Sequence, residues 1–258
     1  MATVVVLKSD GEIAAMRAAG AIVARALRLV TQAAKPGVTL LELDALAAET
    51  IASAGALPSF LGYHPSWAPT PYPGVLCLSV NEAVVHGIPD HRALVEGDLL
   101  SVDCGAHLDG YHGDAAVTVA IGAVDPAAEK LSATTADALA AGIAAAGPGG
   151  RIGDISHAVE AVARGAGYGL PNRLGGHGIG TAMHEDPSVP NSGRPGRGLP
   201  LREGLVIAIE PMLLESGRDA CRTLPDGWTV VTADGSRAAH FEHTVAVTGG
   251  GPVILTVE

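Results

Sequence analysis

The sequence predicts an α/β (α+β) domain made of two related halves, with helices laid over antiparallel strands. Three observations carry this expectation. Apolar residues recur at helical spacing over residues 10–34, 39–55 and 126–146. Apolar, β-branched runs flank Asp-Gly pairs at Asp109-Gly110 and Asp234-Gly235, a strong hairpin signal. A Pro-Gly break and the short amphipathic helix after it recur 112 residues later, pairing Pro36-Gly37 with Pro148-Gly149, Leu40 with Ile152, Leu43 with Ile155 and Gly55 with Gly167. No composition break or linker divides the chain, so residues 1–258 are expected to form one domain, with halves of roughly 1–122 and 123–258 facing each other across a shared site.

Composition narrows the class. The chain is 48% hydrophobic but 3% aromatic, which excludes disorder and predicts an Ala/Gly-rich, closely packed core. A net charge of −11 argues against nucleic acid or an anionic membrane as partner. Cys77, Cys104 and Cys221 are widely spaced and odd in number, which gives no disulfide framework and fits a reducing compartment. Met1 to Val6 lacks the basic start and cleavage site of a secretory signal, and no stretch reaches the ~20 apolar residues of a membrane span. The expected location is the cytoplasm.

In chain order, the first helix points Ile13, Met16, Ala19, Ile22, Val23, Ala26, Leu27 and Val30 inward and ends at Lys35-Pro36-Gly37. Thr39 caps a second helix that Gly55 stops. Residues 57–74, rich in proline, read as an irregular loop, and Val75–Val80 as a strand. In the hairpin at Asp109-Gly110, residue 108 pairs with 111, 105 with 114 and 103 with 116. Asp103 and Asp114 therefore share one face, roughly 5–8 Å apart. Two acids so placed are either solvated at a strand edge or share counter-ions.

The second half offers more such acids. Leu205 to Glu210 is a buried-strand run that stops at a carboxylate, with Pro211 ending its pairing. The hairpin at Asp234-Gly235 sets Trp228–Thr232 against Ala238–Val247 and places His240, Glu242 and Thr244 on one face. Between these elements, Gly175 to Gly180 reads as a glycine-rich loop around His177, with Met183-His184-Glu185 after it. Such a loop can cradle phosphate, but this one lacks the P-loop lysine and spacing. Four carboxylates in or at the ends of apolar strands, with one inward histidine, point to a shared cation.

The set Asp103, Asp114, His177, Glu210 and Glu242, at spacings of 11, 63, 33 and 32, resembles the five metal ligands of the methionine aminopeptidases. The strings Asn81 to Pro89, Gly176 to Gly180, Ala208 to Met212 and Phe241 to Thr244 resemble that family too, and the likeness runs nearly end to end. The short interval from Glu210 to Glu242 is similar to type I members. The resemblance implies the pita-bread fold, with two pseudo-symmetric halves enclosing a dinuclear site. It also implies removal of the initiator methionine from nascent proteins whose second residue is small. Two divalent ions (Co, Mn, Fe or Zn, which an O/N ligand set does not separate) would activate a bridging water.

By the same resemblance Glu210 shuttles the proton, His184 stabilises the tetrahedral oxyanion and His86 hydrogen-bonds the scissile amide. Tyr72, Cys77, Met183 and Trp228 match the pocket for the methionine side chain, with Tyr63 close by. Met183 stands where many members have phenylalanine, and residues 65–71 form an added proline-rich loop. Implied partners are the N-terminal methionine of nascent peptides and, transiently, the ribosome, with the chain a monomer. A proline-directed relative with the same ligands (aminopeptidase P or prolidase) is the rival enzyme; those carry a large N-terminal domain, and the Asp226 to Val230 string favours the methionine enzymes. A non-catalytic binding protein of the fold is the other rival, but such members usually lose ligands.

Overall fold

Ser9 and Thr39 start the first two helices in the same way. Each backbone N–H donates to the carboxylate of the glutamate three residues on (2.8 Å to Glu12, 2.7 Å to Glu42), and each hydroxyl accepts that glutamate's N–H. Such reciprocal caps stabilise a helix by about 1 kcal/mol. The helices they open are α1 (Asp10–Ala33) and α2 (Leu40–Ser53), as the spacing of apolar residues predicts. The computed structural model describes residues 5–258; the Met1–Val6 run, read above as no secretory signal, lies mostly outside them. After α2 come β1 (Leu57–Pro58), β2 (Leu76–Val80), β3 (Ala83–Val85), β4 (Leu99–Leu108) and β5 (Tyr111–Ala120). The second half contributes α3 (Pro126–Ala145), α4 (Ile152–Gly165), β6 (Gly175–Gly178), β7 (Glu185–Pro190), β8 (Val206–Ile209), β9 (Met212–Leu214), β10 (Cys221–Thr223), β11 (Val230–Thr232), β12 (Ala238–His240), β13 (Glu242–Thr248) and β14 (Gly251–Ile254).

A nine-stranded antiparallel sheet runs β1-β4-β5-β13-β8-β6-β7, with β2 added on β4 and β14 on β13. Its first hairpin has the expected register: Leu108 opposite Tyr111, Gly105 opposite Asp114 and Asp103 opposite Ala116. Asp109 and Gly110 both take positive φ, as a two-residue turn of this hand requires. Helices cover one face of the sheet. Leu100, Val102, Cys104 and Ala115 pack with Val23, Leu27, Val30, Leu43 and Ile51, while Ile207, Ile209, Val245 and Val247 pack with Leu139 and Ile155. Because side chains alternate along a strand, the residues between these are turned to the opposite face.

The internal repeat extends to individual hydrogen bonds. Helices α2 and α4 begin and end at positions 112 residues apart, and Gly37 and Gly149 before them both have positive φ. Gly37 N–H donates to Leu94 and Leu94 N–H to Val38; Gly149 donates to Leu201 and Leu201 to Gly150 in the same way. The step from Leu94 to Leu201 also carries Gly97 onto Gly204 and Asp103 onto Glu210. The two halves thus each present an acid at the corresponding place.

Two expectations need correction. Trp228–Thr232 does not pair with Ala238–Val247. Strand β11 lies between β10 and β3, and β12 pairs with β9 instead. The Asp234 carboxylate closes its own turn onto Ser236 N–H (3.1 Å), so the Asp-Gly bend needs no paired flanks. β12 is drawn off by Ala238 N–H donating to Asn81 O (2.8 Å). Gly175–Gly178, read as a loop, is strand β6 between β7 and β8. A Cβ on Gly176 would overlap the carbonyl of Ala208, and one on Gly178 that of Asp186, so these glycines serve close strand approach. Among the described residues, no helix is long and apolar enough to cross a membrane.

Helix α1 reaches the sheet through another close approach. A Cβ on Gly20 would overlap the Leu255 carbonyl, while Gly11 has nothing near it. Gly20→Val is expected to destabilise by at least about 2 kcal/mol through overpacking against backbone. Gly11→Ala should stabilise by ~0.5–1 kcal/mol. Urea denaturation of both variants checks this pair.

Candidate metal centre and substrate pocket

Five neighbouring strands each bring one donor residue to the uncovered face: Asp103 on β4, Asp114 on β5, Glu242 on β13, Glu210 just past β8 and His177 on β6. Ala116 is the shared cross-strand neighbour of Asp103 and Glu242, so a methyl group stands in the row between two acids. Threonine hydroxyls fix the backbone around them. Thr244 Oγ1 donates to Asp114 O (2.8 Å) and accepts Asp114 N–H (3.0 Å). Thr118 Oγ1 does the same for His240, at 2.7 and 2.9 Å. His177 Nδ1 lies 2.8 Å from Gly178 O, which can only accept, so the proton sits on Nδ1 and Nε2 presents its lone pair. That Nε2 lies 3.8 Å from both Asp114 Oδ2 and Glu210 Oε1.

Among the described residues two groups of donors emerge, each with its atoms within 4.8 Å of one another: Asp114, His177 and Glu242, and then Glu210, His240 and Glu242. Glu242 belongs to both. Asp103 adjoins Asp114 outside these groups. His240 was not among the residues expected here, although the sequence placed it on the face of Glu242. It is 2% exposed, with Nε2 3.4 Å from Glu210 Oε2 and 3.9 Å from Glu242 Oε2.

The electrostatics of this cluster are those of a cation site. Burial, then the charges of Asp103 and Glu210, push Asp114 well above the usual carboxylate range; burial and then Asp114 do the same to Glu242. Burial raises Asp103 to about 7. For Glu210 burial acts upward too, but the close imidazole of His240, with His177 and His184, brings it below its ordinary value. Among the described residues, the buried side-chain atoms without a hydrogen-bonding partner are His86 Nδ1, Asp103 Oδ1, Asp114 Oδ1, His240 Nε2 and Glu242 Oε1, all in this cluster and its rim. Buried oxygens left unpaired cost free energy, and a divalent cation satisfies several at once. The donor set therefore fits hard or borderline divalent metal.

Above the cluster lies a cavity of about 270 Å³ lined by all five expected ligands, by His86 and His184, and by Tyr63, Tyr72, Cys77, Met183 and Trp228. The volume falls just below the ~300 Å³ lower end for drug-sized ligands, which suits a single side chain. Tyr72 spends its hydroxyl on the carbonyls of Leu76 (3.0 Å) and Gly87 (2.8 Å), so the cavity meets its ring. Phe60 and Trp67 also line it. Neither was expected; both lie in the proline-rich stretch, where no periodicity marks which way a side chain points. His86 holds φ at 58°, a conformation that costs a non-glycine residue about 1–3 kcal/mol and here aims the ring into the cavity. Burial lowers its pKa to about 4. His184 stands 4.2 Å from the His177 ring and 5.2 Å from Tyr63, centre to centre. Desolvation within the cavity, then His177, lowers its pKa, although part of its surface opens to the mouth. Next to it, Glu185 forms a 2.6 Å ion pair with buried Lys8 and accepts the N–H of Ala182 (3.1 Å), which ties down the loop carrying Met183 and His184.

A curled antiparallel sheet with two pseudo-symmetric halves and an acid-histidine cluster between them defines a metallopeptidase architecture. The sequence matches the profile of metallopeptidase family M24 over residues 14–249, and the chain belongs to that family. It is 53% identical over 261 residues to methionine aminopeptidase 1 of Mycobacterium tuberculosis, covering 98% of this chain and 96% of that one. The crystal structure of methionine aminopeptidase from Thermotoga maritima superposes with a TM-score of 0.94 at 41% identity, covering 99% of this chain and all of that chain. The prolidase of Pyrococcus furiosus, 22% identical, shares the pita-bread fold with a TM-score of 0.77, over 98% of this chain and 65% of its own.

Three of the clustered acids make a specific stability prediction. The folded pKa values of Asp103, Asp114 and Glu242 lie above the unfolded ones, so through them the folded state binds more protons and loses stability as pH rises from about 4 through about 7. After chelation, the melting temperature is expected to fall between pH 5 and 8. Excess Mn²⁺ at pH 8 should restore about 2–3 kcal/mol, the linkage expected near a hundred times the dissociation constant. Asp114→Asn should melt higher than wild type when both are chelated at pH 8, and gain less from Mn²⁺. Scanning fluorimetry across pH measures all of these.

Proposed function

We propose that this chain is a type I methionine aminopeptidase, acting as one catalytic domain over residues 1–258, that removes the initiator methionine when the second residue is small. The carrying observation is the placement of five donor side chains from five adjacent strands at the floor of a cavity walled by Tyr63, Tyr72, Cys77, Met183 and Trp228. Sulfur and aromatic side chains together favour a thioether. Identity of 53% to a methionine aminopeptidase, against 22% to a prolidase, supports this reading over the proline-directed one.

Asp103, Asp114, His177, Glu210 and Glu242 would hold two divalent cations, drawn from Co, Mn, Fe or Zn; membership of both donor groups by Glu242 supports a pair. When bound, such ions lower the pKa of water and polarise a carbonyl. Glu210, kept in its ionised form by the histidines around it, takes the proton of the attacking water and passes it to the departing amine. His184, neutral, donates to the developing oxyanion. His86, also neutral, hydrogen-bonds the scissile amide from the opposite rim. The substrate's side chain meanwhile excludes water from the apolar wall. The chain acts in the cytoplasm as a monomer. Substrates still being synthesised bring it transiently to the ribosome.

Methionine release from Met-Ala-Ser after loading with Mn, Fe, Co or Zn tests the proposal. Turnover is expected at least about a hundredfold faster than on Xaa-Pro peptides, the upper range of discrimination by pocket fit. The opposite order assigns the site to the proline-directed relatives. His86→Ala should lower kcat by roughly 10²–10³, the worth of one positioned donor, with bound metal unchanged by atomic absorption. Loss of metal instead would reassign His86.

A further inference from the structure

Tyr63 and Tyr72 close on each other through backbone hydrogen bonds (Tyr72 N–H to Tyr63 O 2.9 Å, Gly62 N–H to Tyr72 O 2.8 Å), and the proline-rich loop 65–71 rises between them. That loop is firmly seated. The Trp228 indole N–H donates to Thr70 O at 3.0 Å, Pro69 lies where a Cβ on Gly227 would be, and Ala68 is buried. Prolines 65, 69 and 71 restrict its backbone. Yet Trp67, at its tip, is 60% exposed. The loop thus holds its largest apolar side chain in the open at the edge of the cavity.

The position of Trp67 says what it contacts. Its ring meets Trp228 edge to face, with centres 5.0 Å apart, and lies within 24° of parallel to His86 at 6.2 Å. It thus borders both the wall of the side-chain pocket and the histidine assigned to the scissile amide. An extended peptide puts alternate side chains on the same side, about 6.6–6.8 Å apart. With the first side chain against Trp228, the second turns away and the third returns to that side, one ring further out. We propose that Trp67 is a specificity-determining residue, an aromatic shelf for an apolar side chain at the third position of the peptide. This rests on the methionine aminopeptidase reading of the site.

The test is kcat/KM on Met-Ala-Phe and Met-Ala-Gly for the metal-loaded wild type, W67A and W67F. Wild type should favour Met-Ala-Phe roughly two- to tenfold, the worth of one aromatic pair at an open rim, with the difference in KM. W67A should bring the ratio to near one and W67F should keep it. The ratio does not depend on how much of a variant is folded. A wild type without preference, or an unchanged ratio in W67A with both peptides slowed alike, overturns the shelf. A wild type that releases methionine from neither peptide overturns the reading of the site instead.

Discussion

Mutual repulsion among carboxylates withdrawn from water is the constraint on which this structure turns. Asp103, Asp114 and Glu242 sit on adjoining strands, each with an unpaired buried oxygen, and Glu210 joins them from just past β8. Among the described residues no lysine or arginine is bonded to them; the counter-charge within reach is imidazole. A fold that tolerates this does so because the opposite face of the sheet is secured by the helices. The threonine clamps at Asp114 and His240 then stop the strands from sliding apart under the strain. Stability invested on one face holds an unfavourable arrangement on the other until a cation resolves it.

The internal repeat explains how such a site is reached economically. Each half carries an acid on its sheet, Asp103 within β4 and Glu210 just past β8, and the segments leading to these strands, at Leu94 and Leu201, make the same pattern of bonds to the loop before a fourteen-residue helix. What breaks the symmetry is functional. The first half adds a long hairpin and the proline-rich loop that walls the pocket, whereas the second adds the glycine strand bearing His177 and the Lys8-anchored segment bearing His184.

Much of this was legible in the chain because the relevant signals are local. A two-residue Asp-Gly turn and strict alternation suffice to put Asp103 and Asp114 on one face, and the register is the one expected. The paired helices announce themselves by Pro-Gly breaks and capping residues. The misreadings share a cause, which is that long-range competition carries no local mark. Asp234-Gly235 forms a turn, but β11 finds better partners in β3 and β10. Glycines around His177 look like loop residues until flanking strands are seen pressing on them. His240 reads as one more alternating strand residue, since its approach to Glu210 depends on β12 pairing with β9, which sets His240 opposite Met212.

Ala116 has a consequence of its own. Lodged on β5 between Asp103 of β4 and Glu242 of β13, it offers no donor atom, and its importance is purely volumetric. Its methyl group sets how much room is left over the middle of the sheet. Any larger side chain there would crowd the space between those two carboxylates. A position silent in chemistry is thereby held small by the acids on either side of it.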